Sequence, residues 1–305
     1  MSETVQSSSG NQSWALSGLS LGLVVLAALW TYIAWLSNSN LLDFHRLQLF
    51  LTHHTDITSS LVFFASGVAG ILLMHEAGHI FVANDEFRGA PVWLPAPGLY
   101  IPSLGGIQTA NAPVSMRHPG RYAIMGPLFG SFASASCLIL GSMVLENTPY
   151  VLALAQGEQS LLAQFLTRLG LNLELNGLQV AGWMGLLLSS LQLLPIGATD
   201  GGQVLREVVP KFHLTISIVT LTLLVVLAFS LPIDEGFTWW AWAAFCALHL
   251  FGNPVISEPS ADTVTKRLGL GIVWALLLSS TLTLSLSAIP SPVIPEADIS
   301  KEVEL

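Results

Sequence analysis

The stretch "ILLMHEAGHI", residues 71–80, places His75 and His79 four positions apart, with Glu76 between them. Positions i and i+4 lie on one face of a helix, so the two imidazoles can bind the same ion and Glu76 can reach a water molecule on it. No charged residue occurs from Thr58 to Met74, so the helix that carries this motif is apolar enough to enter a membrane. Two histidines and a glutamate without a partner would be costly there, so the stretch predicts a metal centre on a membrane helix.

The composition of the whole chain agrees with a membrane setting. Of its 305 residues, 52% are hydrophobic and 10% are charged, and the mean hydropathy is +0.66. A soluble domain carries about 25% charged residues, so we expect a multi-pass membrane protein. The net charge of −9 and the lack of a basic stripe argue against a nucleic-acid partner. Cys137 and Cys246 lie in apolar runs, where they are expected to be buried side chains and not a disulfide.

Apolar stretches predict an all-α polytopic fold with about six to seven transmembrane helices, since about 20 apolar residues cross a bilayer. The first of them is expected to be a retained anchor and not a signal peptide. The sixth is short and begins with three tryptophans, which favours a tilted or interfacial helix. The stretches are residues 14–36, 58–83, 121–145, 178–196, 214–231, 237–251 and 270–289.

The distribution of Lys and Arg predicts the orientation. If the spans alternate, seven of the ten basic residues share the side of the N-terminus, which is therefore expected to be cytosolic. Seventeen residues from Thr58 to Met74 rise about 25 Å, which puts His75 within the bilayer toward the cytosol. The cytosolic set is Arg88, Arg117, Arg121, Arg206, Lys211, Lys266 and Arg267, and the external set is Arg46, Arg168 and Lys301.

The segment "PVWLPAPGLYIPSLGGIQTANAP", residues 91–113, is apolar but too rich in Pro and Gly for a helix. Irregular backbone at membrane depth must be buried in protein or line a wet cavity. A re-entrant loop or short hairpin is therefore predicted, with "LYIPSLGGIQT" as its extended part. A loop lying on the lipid headgroups is the alternative.

Zinc requires a third protein ligand while a fourth position stays open for water, and Asp200 is the best candidate. The fourth span is expected to lose its helix at Pro195 and Gly197, just before this residue. Spans two and four run in the same direction, so Asp200 ends at the depth of the two histidines. The glycines after it, 201 and 202, permit tight backbone geometry. A helix cap at the aqueous boundary is the alternative role for Asp200.

Taken together, these motifs resemble those of the site-2 protease family of intramembrane zinc metalloproteases. That family combines a helix-borne HExxH with a distal Asn-x-x-Pro-x-x-x-Leu-Asp-Gly, and "GWMGLLLSSLQLLPIGATDGGQV" is similar to the second signature. "RYAIMGPLFGSF" resembles the Gly-Pro-containing third span, and "LYIPSLGGIQT" resembles the re-entrant strand. The resemblance covers roughly residues 58–210.

Two departures from the family pattern affect the distal signature. Its Asn is Gln192 here, and the Leu before the Asp is Thr199. Gln keeps the amide donor on a longer arm, while Thr removes no metal-binding atom. Gln203 also stands where many relatives have His. These changes leave the three predicted ligands intact and put the level of activity in question.

The resemblance implies one zinc ion per chain, Glu76 as general base, and membrane-anchored proteins as substrates. It also implies that the re-entrant strand, with Leu104, Gly105 and Gly106, receives an unwound substrate segment, and that Gln192 assists at the oxyanion. A catalytically weak or inactive pseudoprotease that binds membrane helices is the alternative. A metal transporter is a third and weaker one, since no internal repeat is visible.

Four regions are expected along the chain. Residues 1–57 hold a tail, the first span and an external loop; residues 58–210 form the metalloprotease core; residues 211–289 add further helices; and the acidic tail, 290–305, is predicted to be disordered. The expected location is the cytoplasmic membrane. His53 and His54 with Asp56 form a weak second metal candidate, and the remaining histidines are expected to be interfacial or packing residues, namely His45, His118, His213 and His249.

Overall fold

The computed structural model describes residues 3–37, 39, 41–53, 57–83, 90–99, 101–108, 119–143, 151–153, 161–170, 174–231, 233–251, 264–281 and 291–293. The described part of the chain is mostly helical, with two small sheets. In chain order the elements are α1 Glu3–Leu36, α2 Phe44–His53, α3 Thr58–Ala83, β1 Pro91–Pro95, β2 Ser103–Gln108, α4 Pro119–Met143, β3 Val151–Ala153, α5 Leu161–Arg168, β4 Glu174–Leu175, α6 Gly177–Gln192, α7 Asp200–Val208, α8 His213–Ser230, α9 Ile233–Phe251, α10 Val264–Thr281 and β5 Ser291–Val293.

Four of the described helices are long and apolar enough to cross a membrane. They are Trp14–Leu36 within α1, Thr58–Val82 within α3, Pro119–Met143 and His213–Ser230. The predicted spans 178–196, 237–251 and 270–289 correspond to α6, α9 and α10, which are not among these four. Membrane association is therefore supported by four helices, and the count of six to seven spans stays a prediction.

Helix α6 is shorter than its predicted span and is enclosed by the protein. It has 16 residues, which rise about 24 Å, less than the bilayer core of about 30 Å. All its residues are buried except Leu178, which is half-buried. The helix begins at a capping box formed by Asn176 and Gln179, and the Asn176 amide also donates to Gly141 O of α4 at 2.6 Å. Helix α6 is thus a buried helix that packs between the surrounding helices.

Strands β1 and β2 form an antiparallel hairpin in the segment predicted to be a re-entrant loop or short hairpin. The hairpin lies against α1, whose hydroxyls accept two of its backbone donors. Trp93 N donates to Ser20 Oγ at 3.1 Å, and Gly98 N donates to Thr31 Oγ1 at 2.8 Å. These bonds satisfy backbone groups that a two-stranded sheet leaves unpaired. Entry of the hairpin into the bilayer stays a prediction.

A second sheet has the order β4-β3-β5, with both pairs antiparallel. Its last strand, Ser291–Val293, lies in the tail predicted to be disordered and pairs with β3. The rest of the tail is outside the described residues.

Candidate metal centre

The three predicted ligands lie around one point. Asp200 Oδ2 is 3.5 Å from His75 Nε2 and 3.7 Å from His79 Nε2, and the two Nε2 atoms are 3.2 Å apart. Ligand atoms at about 2.1 Å from a tetrahedral zinc lie about 3.4 Å from one another. The observed spacings bracket that value, so the three donors fit a zinc ion. Two imidazole nitrogens at 3.2 Å also require a proton or a cation between them.

The tautomer of His79 follows from a backbone contact to α4. His79 Nδ1 lies 3.0 Å from Tyr122 O, and a carbonyl oxygen only accepts, so Nδ1 carries the hydrogen. The lone pair of Nε2 is then directed toward Asp200 and His75, as metal binding requires. The Tyr122 ring stacks on the imidazole, with centroids 4.7 Å apart. The motif spacing contains no information about this carbonyl, because any residue could supply it.

Glycines of α4 make room for both imidazoles. A methyl group at Gly126 would overlap the His79 ring, and one at Gly130 would lie 3.2 Å from His75 Nδ1. At the same interface, a methyl group at Gly78 would overlap Met125 O. These glycines thus let α3 and α4 approach closely, and the approach places the imidazoles against α4.

Asp200 is the first residue of α7, directly after a turn that we call the ligand turn, residues 193–199. The N-cap of α7 is Thr199, whose Oγ1 accepts from Gly202 N at 3.2 Å. The departure from the family's Leu therefore has a structural role, which the Thr-Asp-Gly-Gly pattern before a helix could have indicated. The positive end of the helix dipole favours the Asp200 carboxylate.

The small residues after Asp200 are required by close backbone contacts. A methyl group at Gly201 would overlap Leu193 O, and one at Gly202 would overlap Gly197 O. Helix α7 therefore starts in direct contact with the ligand turn, as the paired glycines predicted. Pro195 lies half-buried within the turn, three residues after α6 ends at Gln192.

Strand β2 contacts both remaining residues with predicted chemical roles. A methyl group at Gly106 would lie 3.1 Å from Glu76 Oε1, and one at Gly105, where φ is +115°, would overlap Gln192 Nε2. Glu76 and Gln192 are each 8% exposed. The structure thus brings together Glu76, Gln192 and the two glycines of β2. Leu104, by contrast, packs against the main hydrophobic cluster.

Glu207 is a buried carboxylate that the motifs did not single out. Its Oε2 accepts from Gly120 N at 2.8 Å, at the start of α4. Helix α7 therefore carries Asp200 at one end and, at the other, a side chain that caps the helix bearing Tyr122. Glu207 follows Arg206 in a helix with other polar residues, so its sequence context did not mark it.

The weak second candidate gains no structural support. His53 is exposed and its Nδ1 donates to Leu49 O of the same helix at 2.8 Å. His54 and Asp56 lie outside the described residues, as does His118.

Several proteins named as zinc metalloproteases are similar to the chain. It is 27% identical over 156 residues to "Probable zinc metalloprotease EGY1, chloroplastic" of Arabidopsis thaliana, which covers 47% of this chain and 28% of that protein. It is 29% identical over 205 residues to "Probable zinc metalloprotease EGY2, chloroplastic" of the same plant, which covers 63% of this chain and 35% of that protein. The chain thus spans about a third of the length of the curated relatives it matches.

A rice relative, "Probable zinc metalloprotease EGY2, chloroplastic" of Oryza sativa subsp. indica, is 29% identical over 154 residues, covering 47% of this chain and 28% of that protein. No protein-family model and no solved structure matches the chain. These similarities support a relationship between the chain and zinc metalloproteases.

Proposed function

We propose that the chain is an intramembrane zinc endopeptidase of the site-2 protease type. The observation that carries the proposal is the convergence of His75, His79 and Asp200 from two separate helices, one of them long and apolar enough to cross a membrane. The similarity to proteins named zinc metalloproteases supports the enzyme class and the metal.

The chemistry assigns a task to each residue at the centre. A bound zinc ion supplies Lewis acidity, which brings the pKa of water to about 7. Glu76 accepts a proton from the attacking water, whose oxygen bonds to the scissile carbonyl carbon, and returns it to the nitrogen as the C–N bond breaks. The amide of Gln192 donates a hydrogen bond to the developing oxyanion. The contacts of Glu76 and Gln192 with β2 support their joint action on one substrate.

The proposed substrate is a membrane helix that unwinds locally, because a helical peptide bond is shielded by its own hydrogen bonds. Strand β2 belongs to a two-stranded sheet, so one of its edges has no strand partner in the described part of the chain. An unwound segment can add to such an edge and satisfy its backbone groups there. Gly105 and Gly106 keep that segment close to the two functional side chains.

We place the enzyme in the cytoplasmic membrane, with its N-terminus and active centre toward the cytosol. This orientation is supported by the seven-to-three distribution of Lys and Arg. The word "chloroplastic" in the names of the relatives describes those plant proteins and is not carried over to this chain. The partners are membrane-anchored protein substrates and the surrounding lipid.

The test is zinc content together with cleavage of a membrane-anchored substrate. Wild-type protein purified without chelator should hold about one zinc per chain, and Asp200→Ala should lose most of it because one of three ligands is gone. Glu76→Gln should keep the zinc while cleavage falls at least about 100-fold, because the base is lost. Asp43→Asn, which removes a carboxylate from the cap of α2, serves as the control.

Each failure has a distinct meaning. Zinc-free wild-type protein would favour a helix-binding pseudoprotease. Unchanged zinc in Asp200→Ala would mean that the third ligand is another residue. Normal cleavage by Glu76→Gln would refute the proposed mechanism.

A further inference from the structure

The ligand turn, residues 193–199, is held by helices that lie outside the motif-bearing part of the chain. At its centre Gly197 has φ +56°, a left-handed conformation that favours glycine. Two side chains of α8 bind both backbone groups of this residue. Gly197 N donates to Ser217 Oγ at 3.1 Å, and His213 Nε2 lies 3.2 Å from Gly197 O and donates to it, since a carbonyl only accepts. Both side chains belong to buried residues.

Helices α9 and α10 hold the same turn at two other points. Ala198 N donates to His249 O at 3.2 Å, and this carbonyl lies in the last turn of α9, where carbonyls have no partner within the helix. Trp274 Nε1 of α10 donates to Leu193 O at 2.9 Å. Three helices thus reach the turn from three directions, and we call this set of bonds the clamp.

The clamp determines where α7 begins, and therefore where the Asp200 carboxylate lies. A metal ligand must be held within about 0.5 Å of its productive position. The turn has bonds of its own, from Ile196 N to Leu194 O at 2.8 Å and from Thr199 N to Ile196 O at 3.1 Å. The backbone donor and acceptor of Gly197, by contrast, are bound by side chains of α8. The bonds from α8 are the most direct, because they satisfy the donor and the acceptor of the one left-handed residue in the turn.

We propose that His213 and Ser217 are positioning residues of the metal centre, which hold Gly197 and so keep Asp200 Oδ2 beside His75 and His79. This inference rests on the proposed function, in that it concerns the same zinc site. It assigns a role to α8, within the region 211–289 that the motifs treat as additional helices. His213, expected to be an interfacial or packing residue, becomes part of the support of the centre.

The test is the zinc dissociation constant, measured by competition with a chelator on purified protein that contains all 305 residues. Ser217→Ala removes the acceptor for Gly197 N, and His213→Leu removes the donor to Gly197 O at similar side-chain volume. Each should weaken zinc binding by about tenfold, as loss of a supporting contact does at other zinc sites. His213→Gln, which retains an N–H donor of similar reach, should restore affinity to within about threefold of wild type.

Thr222→Ala is the matched control, because Thr222 lies on α8, is exposed, and donates only back to Ile218 O of its own helix. Its zinc affinity should equal that of wild type. If Ser217→Ala and His213→Leu bind zinc as tightly as this control, the inference is overturned. A purely structural role would lower thermal stability in both while leaving the zinc affinity of the folded protein unchanged, which also refutes it.

Hydrogen exchange separates this inference from the proposed function. In metal-free protein, the amides of residues 197–203 should exchange faster in Ser217→Ala than in Thr222→Ala, because a bond from Gly197 N has been removed. If wild type binds no zinc, the proposed function fails, and this exchange measurement alone decides whether α8 holds the turn. Equal exchange in the two variants would overturn the clamp.

Discussion

Gly126 leaves room for the His79 imidazole, because a methyl group at this position would overlap the ring. Its Cα faces the His79 ring across the interface between α3 and α4. The same interface brings Tyr122 O to His79 Nδ1, so the distance between the helices also sets the tautomer of the ligand. Packing and metal chemistry therefore depend on the same residue.

Gly126→Ala should reduce zinc affinity by about tenfold or more and destabilise the protein by about 1–3 kcal/mol, because the added methyl group pushes the imidazole from its position. Chelator competition and thermal unfolding measure the two effects. Gly70→Ala is the control, since Gly70 lies in α3 and a methyl group added there would meet no atom within 4 Å. If Gly126→Ala and Gly70→Ala bind zinc equally well, Gly126 does not confine the His79 imidazole.

At the scale of elements, the β1–β2 hairpin and the metal centre rest on different supports. Hydroxyls of α1 hold the hairpin, whereas α3 and α7 supply the ligands and α4 supplies the carbonyl that orients His79. The two functions proposed for this region, substrate binding and metal binding, should therefore separate on mutation.

Ser20→Ala combined with Thr31→Val should raise the hydrogen-exchange rates of the Trp93 and Gly98 amides, because both lose their acceptors. Cleavage of a membrane-anchored substrate should fall about tenfold or more, as the strand that receives the substrate loosens, while zinc content stays at the wild-type level. Ser279→Ala, whose hydroxyl bonds only within α10, provides the comparison. Loss of zinc in the double variant would show that the metal centre depends on the hairpin.

At the scale of the whole molecule, the centre joins distant parts of the chain. Helices α3 and α7 carry the predicted ligands. Helices from other parts of the chain hold the surrounding elements: α1 holds the hairpin, while α8, α9 and α10 hold the ligand turn. A ligand that binds across such elements stabilises the native state as a unit, because the unfolded chain lacks the site.

Zinc at about 100 times its dissociation constant should raise the free energy of unfolding by about 2.7 kcal/mol. Thermal unfolding in detergent, with and without a chelator, measures this as a shift in Tm. Glu76→Gln should show the full shift because its ligands are intact, and Asp200→Ala should show almost none. An equal shift in both variants would point to zinc binding elsewhere on the chain.

The membrane character and the grouping of His75, His79 and Asp200 were predictable because each depends on local information: apolar runs, an i, i+4 spacing, and a Pro-Gly break before a carboxylate. Four of the predicted spans correspond to helices that can cross a membrane, whereas α6, which the protein encloses, has 16 residues and ends at Gln192, before Pro195. That enclosure is a tertiary property and leaves no mark on hydropathy.

The contacts that position these residues were decided by tertiary structure alone. Three of the acceptors are backbone carbonyl oxygens, those of Tyr122, Gly197 and His249. Every residue has such a carbonyl, so the residue type does not predict the contact. In the sequence, Ser217 and His213 are polar residues of an apolar helix with no indicated partner. The fold brings α8 to the ligand turn, where both side chains bind Gly197. Residue spacing specifies which side chains share a helix face, but only the packing of distant helices specifies which backbone groups those side chains meet.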